Sequence, residues 1–496
     1  MKDASNRVLN KPFHEPFQHV KRKMSFSLYS IFQTRCMCLK NGSPSVVCTQ
    51  AVFQQPAKTS IKARGQGGNG RKSAVYTESV VSRPRILSTP NISRATPPSR
   101  LQRIFRGALK YFPAALPVIF MVAAIAAAPV SAADKPGSET DDDPQVTFRL
   151  GGLLMYDAVW YQGHDALQGR TTGYTDEGGF RRARLSAQGS MDEDWDYNVT
   201  LDFTRALNNN ASNAGAIEIW QVRVTYSGFG AMKIKAGQLY EPFSLEAATS
   251  SRATTFMERG LPYALIPVKS IGMGISATPA KGLYLEGGAF TEDLNSASSL
   301  DRAFTGRVAY APVDTKGRLL HVGAAASHRV PGDSTLRYRA RAESDLAPAW
   351  FSTGTIRNVD NIVLTGVEAA IVSGAASLQA EYVRSDVSRS NGGQARNIDG
   401  YYVYVSWFLT GESRPYRNGR FSTIKPESRW GAWEVAARNS AISDDRGETL
   451  SDITLGLNWY LNRHARLMAN YVVADYEQGS VQGNADVFQV RGQIDF

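Results

Sequence analysis

Three arginines at every second position, Arg337, Arg339 and Arg341, alternate with Tyr338, Ala340 and Ala342 in the stretch 336–343. In an extended chain successive side chains point to opposite faces, so the three guanidiniums share one face. A rail of planar, permanently charged forks attracts anions and offers paired N–H donors to phosphate or carboxylate oxygens. The stretch 179–191 repeats the theme. Arg182, Arg184, Ser186 and Gln188 share one face, Ala183, Leu185 and Ala187 the other, and Arg181 stands at the strand end. In 231–239, Lys233 and Lys235 flank Ile234 in the same way. The chemistry these cations offer is electrostatic capture of anions. A plainer reading stays open beside it: Asp196, Asp202, Glu218 and Glu434 have the parity to pair with them and cancel much of the field.

A second group lies where the alternation stops. The segment 240–270 has no period of two, and a long irregular segment in a compact fold is usually functional. It carries Thr249-Ser250-Ser251-Arg252 and Glu258-Arg259, with Lys269 at its end. Folded inward, its hydroxyls and guanidiniums form a constriction lined by anion donors; left outside, it is a surface loop. Nothing in the chain spells a nucleophile motif. His164, His321, His328 and His464 are scattered, so an outer-membrane enzyme is a remote alternative that ester hydrolysis assays would test. Cys36, Cys38 and Cys48 all precede residue 134, which leaves the remainder without a disulfide framework or a cysteine metal site, and no cofactor is indicated.

The elements that must hold these residues are strands. In 195–205, Trp195, Tyr197, Val199, Leu201 and Phe203 share a face opposite Asp196, Asn198, Thr200, Asp202 and Thr204. Ile453, Leu455, Leu457, Trp459 and Leu461 repeat the pattern, and Asn462-Arg463-His464 turns the chain into Leu467, Ala469, Tyr471 and Val473. The last stretch sets Phe488, Val490, Gly492, Ile494 and the terminal Phe496 against Gln489, Arg491, Gln493 and Asp495. Many alternating segments of about ten residues, separated by turns, mark a transmembrane β-barrel whose last strand closes on its first. Candidate strands fall at 145–160, 179–191, 195–205, 216–227, 231–239, 271–278, 282–291, 302–311, 317–329, 335–343, 362–372, 375–385, 398–409, 430–441, 451–461, 464–475 and 485–496. That is one more than an even-numbered barrel accepts. Either 271–278 or 335–343 is therefore not a wall strand, and the expected fold is an all-β outer-membrane barrel of 16 antiparallel strands. A soluble β-sandwich shows the same alternation, but length, the secretory signal and the aromatic terminus favour the barrel.

Charge divides the chain in the same place. Residues 1–133 hold 20 Lys and Arg against three acids, a net of +17, whereas the remainder holds 36 basic and 42 acidic residues, a net of −6. The overall excess of +11 belongs to the leader and gives no support for nucleic-acid binding. Residues 1–100 read as a disordered extension or an over-extended translation start. Residues 101–133 read as a secretory signal, with Arg103, Arg106 and Lys110 before an apolar core and Val130-Ser131-Ala132 or Ser131-Ala132-Ala133 before the cut. Residues 134–144 form a short acidic lead-in to the barrel at 145–496. From residue 134 onward no run approaches the roughly 20 apolar residues of a membrane helix.

These residues resemble the phosphate-selective porin O and P family. The resemblance rests on Gly179-Phe180-Arg181-Arg182-Ala183-Arg184, on Gly237-Gln238 with Glu241-Pro242-Phe243-Ser244-Leu245-Glu246, on Thr249-Ser250-Ser251 and on Phe256-Met257-Glu258-Arg259. Leu409-Thr410-Gly411-Glu412, the run from Gly431-Ala432-Trp433-Glu434 to Arg438, and Leu455-Gly456-Leu457-Asn458-Trp459-Tyr460 extend it. It implies a trimeric 16-stranded porin of the bacterial outer membrane, with its third extracellular loop folded into the channel and arginines drawing anions to a central site. Arg181 and Arg182 then match paired arginines at the channel mouth, Arg337, Arg339 and Arg341 match an arginine ladder, and Ser250, Ser251 and Arg259 match the constriction. One position departs. Phosphate-binding members place a lysine after the loop glutamate, where this chain has Ala247, leaving Arg252 and Lys269 as the cations that would compensate. The expected function is passive diffusion of phosphate, polyphosphate or chloride through an anion-preferring pore embedded in outer-membrane lipid. The alternative is a general, weakly selective pore.

Overall fold

The computed structural model describes residues 146–163, 176–208, 216–295 and 301–496. The expected extension, secretory signal and lead-in, residues 1–144, and His164 lie outside the described residues. The wall comprises β1 (Arg149–Gly163), β2 (Glu177–Met191), β3 (Trp195–Asp202), β4 (Glu218–Phe229), β5 (Met232–Tyr240), β6 (Lys269–Ala280), β7 (Leu283–Phe290) and β8 (Arg302–Thr315). It continues through β9 (Arg318–Val330), β10 (Val359–Ser373), β11 (Ala376–Arg389), β12 (Arg396–Phe408), β13 (Ala432–Asp444), β14 (Glu448–Tyr460), β15 (Ala465–Gln478) and β16 (Val481–Asp495). Each strand pairs antiparallel with its neighbours in sequence, and β16 pairs with β1 from Leu153↔Asp495 to Gly163↔Ala485, which closes the barrel. Closure leaves no wall edge with unpaired backbone groups, the condition for a sheet to sit in lipid.

Alternation has the expected outward meaning. Leu185, Val199, Met273, Phe304, Val367, Val405 and Trp407 are exposed, a lipid-facing belt. Near the rim that carries both ends of the wall, Trp433 and Trp459 stack with centroids 5.0 Å apart, as aromatic residues do at a membrane interface. The same rim carries mostly tight turns. At one of them Gly282 has φ +74°, and a Cβ there would meet the Ala311 carbonyl at 2.3 Å, so only glycine fits without a shift.

The surplus strand candidate is 335–343, whereas 271–278 lies within β6. Residues 339–341 pair only with 349–352, in a small hairpin inside the long connection 331–358 between β9 and β10. The alternation is real but its dry side is protein rather than lipid. Tyr338, Ala340 and Ala342 are buried with Trp350 and Phe351 against Ile362, Leu364, Val383, Ile398 and Leu450. Those wall residues have inward parity, so around them the barrel interior is apolar where the alternation predicts a wet face. The connection 331–358 packs there. Another connection, 241–268, packs into the same cluster through Phe243, Leu261 and Leu265.

Candidate functional site

The open part of the barrel lies against β1–β5. Between Met155 and Tyr156 the β1–β2 register shifts, so that Met155 faces Arg182 and Tyr156 faces Phe180. The bulge leaves Arg181 as the extra residue and lets two successive arginines reach the interior. Arg181 is therefore not a strand-end residue but part of the lumen wall. It donates to Glu258 through two parallel bonds of 2.7 and 2.9 Å. Arg182 is 5% exposed. Its only bond among the described residues runs to the Met155 sulfur at 3.3 Å, and its Nε has no partner. Arg184 pairs with Asp202 at 2.7 Å and lies 3.3 Å from the centroid of the Trp220 ring. Lys269 pairs with Asp293 at 2.8 Å and approaches the same ring at 4.3 Å. The Trp220 indole N–H donates to the Tyr240 hydroxyl at 2.8 Å.

The connection 241–268 supplies the opposite side. Ser244 caps the short helix Leu245–Ala248 by accepting from the Ala247 N–H at 3.1 Å. Glu246 accepts from the Gly260 N–H at 3.1 Å, which draws the two ends of the segment together. Far-wall side chains of inward parity then hold it. Asn458 donates to the Thr255 carbonyl at 2.8 Å, and Arg466 to the Thr254 carbonyl at 2.7 Å. Arg252 donates to the Gly152 carbonyl at 2.7 Å and lies 3.5 Å from Asp495, so it anchors the segment to β1. Arg259 donates to the carbonyls of Glu246 at 3.1 Å and Thr249 at 3.0 Å. Burial would raise the Glu258 carboxyl, but Arg181 and Arg491 outweigh it and hold the group well below the ordinary carboxylate range.

These groups enclose two cavities. One, of about 330 Å³, is lined by Arg181, Arg182, Arg184, Arg259 and Lys269 with Glu258 and Asp293. Arg181, Arg184 and Lys269 have carboxylate partners; among the described residues Arg182 and Arg259 have none within 4 Å. The other, of about 650 Å³, extends along Ser186, Gln188 and Thr200 towards the rim that carries the wall ends. The two share Arg184, Trp220, Tyr240, Ser251 and Arg259, a common waist. A tetrahedral oxyanion at this waist would meet guanidiniums, a serine hydroxyl and the edge of a cation-clasped indole.

Several expected residues lie elsewhere. Ser250 and Arg252 line the larger cavity, and Ala247 borders it at 7% exposure. Lys235 pairs with Glu286 at 3.4 Å, and Lys233 is exposed and lines neither cavity. Arg337, Arg339 and Arg341 also line neither; they stand exposed on the inward connection instead of the wall. Arg341 donates to the Asp345 carbonyl, and the Asp345 carboxylate is 3.5 Å from Arg181, so the rail ends beside the smaller cavity. Of the expected counter-ions, Asp202 pairs as anticipated, but Glu434 accepts from Asn458 and Tyr460 instead. His321 is bonded to Glu368 and Tyr416, and His464 to the Asp495 carbonyl.

Sequence reasoning missed Trp220, Tyr240, Arg223, Arg417 and Arg420. Arg223 has the inward parity of Gln221 and Thr225, a signal that was available. Arg417 and Arg420 sit on a small hairpin in the connection 409–431, which turns into the barrel from the rim that carries the wall ends and has no period. Arg420 donates to Glu286 at 3.1 Å.

Residues 148–496 match the protein family described as Phosphate-selective porin O and P. Porin O of Pseudomonas aeruginosa is 31% identical over 373 residues, covering 67% of this chain and 84% of that protein. An uncharacterized protein of Caulobacter vibrioides is 28% identical over 417 residues, covering 77% of this chain and 81% of that one. Among solved structures, an anion-selective porin from Comamonas acidovorans aligns with a TM-score of 0.46 and 13% identity, over 71% of this chain and 100% of that one.

Proposed function

Because the chain belongs to the phosphate-selective porin O and P family and is an anion-preferring porin of the bacterial outer membrane, we propose that phosphate and polyphosphate pass along the inner face of β1–β5, through the waist at Arg184, Ser251 and Arg259. Chloride follows the same path with fewer contacts. The observation that carries this reading is the pair Arg182 and Arg259, cations that line the smaller cavity without a carboxylate partner among the described residues. At an effective permittivity of about 20, one unit charge attracts another at 4 Å by about 4 kcal/mol. An ion pair presents only its residual dipole, so uncompensated guanidiniums set the sign of the field. The anion exchanges part of its hydration for guanidinium and hydroxyl donors and leaves because neighbouring sites of similar depth compete. The connection 241–268 is the constriction, Arg337, Arg339 and Arg341 gather anions at the mouth, and a homotrimer is the assembly that the family resemblance implies.

A weakly selective pore is the second reading, favoured by Ala247 and by the carboxylates that neutralise Arg181, Arg184 and Lys269. Bilayer recordings in a salt gradient, with phosphate titrated into chloride, separate the two. Phosphate selectivity gives an anion-signed reversal potential and a conductance that low phosphate blocks. A weakly selective pore gives no block.

A further inference from the structure

Arg438 lies on the inner face of β13 with a side chain that is 0% exposed, and it lines neither cavity. Its guanidinium nevertheless meets both inward connections. Nη1 donates to the Glu246 carboxylate at 3.3 Å, and Nη2 donates to the Glu258 carbonyl at 2.9 Å, both in 241–268. Nε donates to the Glu343 carboxylate at 3.1 Å, in 331–358. Nη2 also donates to Glu343, as do the hydroxyls of Ser440 and Thr454. The Phe256 ring packs 4.2 Å from the guanidinium carbon. Glu343 itself has φ +40°, a left-handed backbone that a non-glycine residue keeps only where its surroundings impose it.

We infer that Arg438 is a positioning residue for anion selectivity: one buried guanidinium joins the two inward connections and thereby sets where Arg259 and Arg181 stand in the channel. This rests on the reading of the smaller cavity as the selective region. Two short routes carry the constraint. Glu246, held by Arg438, accepts from the Gly260 N–H and through its carbonyl from Arg259. Glu258, whose carbonyl is held by Arg438, uses its carboxylate to hold Arg181. A guanidinium can serve both connections because its donors lie in one rigid plane with fixed divergence. A lysine ammonium would keep the charge and lose that fork.

The test is planar-bilayer recording of wild type, Arg438→Lys, Arg438→Gln and Glu343→Gln, each first shown to be barrel-folded by a heat-modifiable band. All three variants should lower the anion-to-cation permeability ratio at least threefold and raise open-channel current noise. The lysine variant should fall with the glutamine one, because geometry rather than charge is at stake. If Arg438→Gln does not insert, Arg438→Lys and Glu343→Gln probe the same joint. Folded variants with wild-type ratio and noise would overturn the inference, as would a lysine variant that behaves as wild type. Wild type lacking anion preference would count against the cavity reading alone, and noise and conductance would still report whether the joint holds the connections.

Discussion

Glu258 and Arg181 form a two-bond fork at 2.7 and 2.9 Å, and the oxygen that accepts from Arg181 Nε, Oε1, also accepts from Arg491 at 2.7 Å. The contact joins the connection 241–268 to the β1–β2 bulge in front and to the terminal strand behind. Replacing Glu258 with Gln leaves Arg181 with Asp345 alone, 3.5 Å away, while Arg491 keeps Asp157 at 2.6 Å, which should cost about 3 kcal/mol. The sign with pH follows from the depressed carboxyl. Its contribution is fully present above the unfolded value, about 4.3, and fades as pH falls below that towards the native value. Thermal unfolding of the detergent-solubilised barrel should therefore separate wild type from Glu258→Gln widely at pH 7, and the gap should close as pH falls below about 4.

Arg182 and Arg184 make opposite trades between stability and selectivity. Arg182→Gln removes a buried guanidinium that has no carboxylate among the described residues, so the barrel should melt at or above the wild-type temperature. The anion-to-cation permeability ratio should fall several-fold, about 1 kcal/mol in free energy. Arg184→Gln frees Asp202 instead and should lower both the ratio and the melting temperature. Reversal potentials and melts of the two variants, measured together, check the pairing: equal melting behaviour would contradict it.

The wall was legible in the sequence because each wall strand separates two environments, and a period of two survives any local detail. The stretch 335–343 shows the limit of that signal. Its alternation was read correctly as two faces, but alternation does not say whether the dry face meets lipid or protein, and Tyr338, Ala340 and Ala342 meet protein. The bulge at Arg181 was hidden because it is a mismatch of register with β1, a property of two strands together. Arg438 could be quoted as a motif residue but not understood, since Glu343 lies 95 positions away in sequence and Glu246 192. Arg417 and Arg420 had no periodic context at all.

The displaced rail gives its own prediction. Arg337, Arg339 and Arg341 are exposed and outside both cavities, so the role proposed for them is action through space on ions approaching the mouth. Such a field is screened over about 30 Å at 0.01 M salt but only about 3 Å at 1 M. Replacing all three with Ala should lower conductance and anion preference at 0.01–0.05 M and leave both near wild type at 1 M. A loss that persists undiminished at 1 M would place the rail inside the conducting path after all.

Ala247 is the position where the family resemblance calls for lysine, and here it borders the larger cavity while packing with Phe243 and Leu261. A lysine there has somewhere to go. Its methylene stem can cover the apolar cluster while the ammonium reaches the water of the lumen. Ala247→Lys should then bring a further cation close to Arg259 and Ser251, which line the same cavity. The phosphate concentration that halves chloride conductance should fall about tenfold, which is about 1.4 kcal/mol. The penalty should be a modest loss in melting temperature from disturbed packing. If phosphate block is unchanged in a folded Ala247→Lys barrel, the residue does not tune the waist, and selectivity must be set by the other cations of the two cavities.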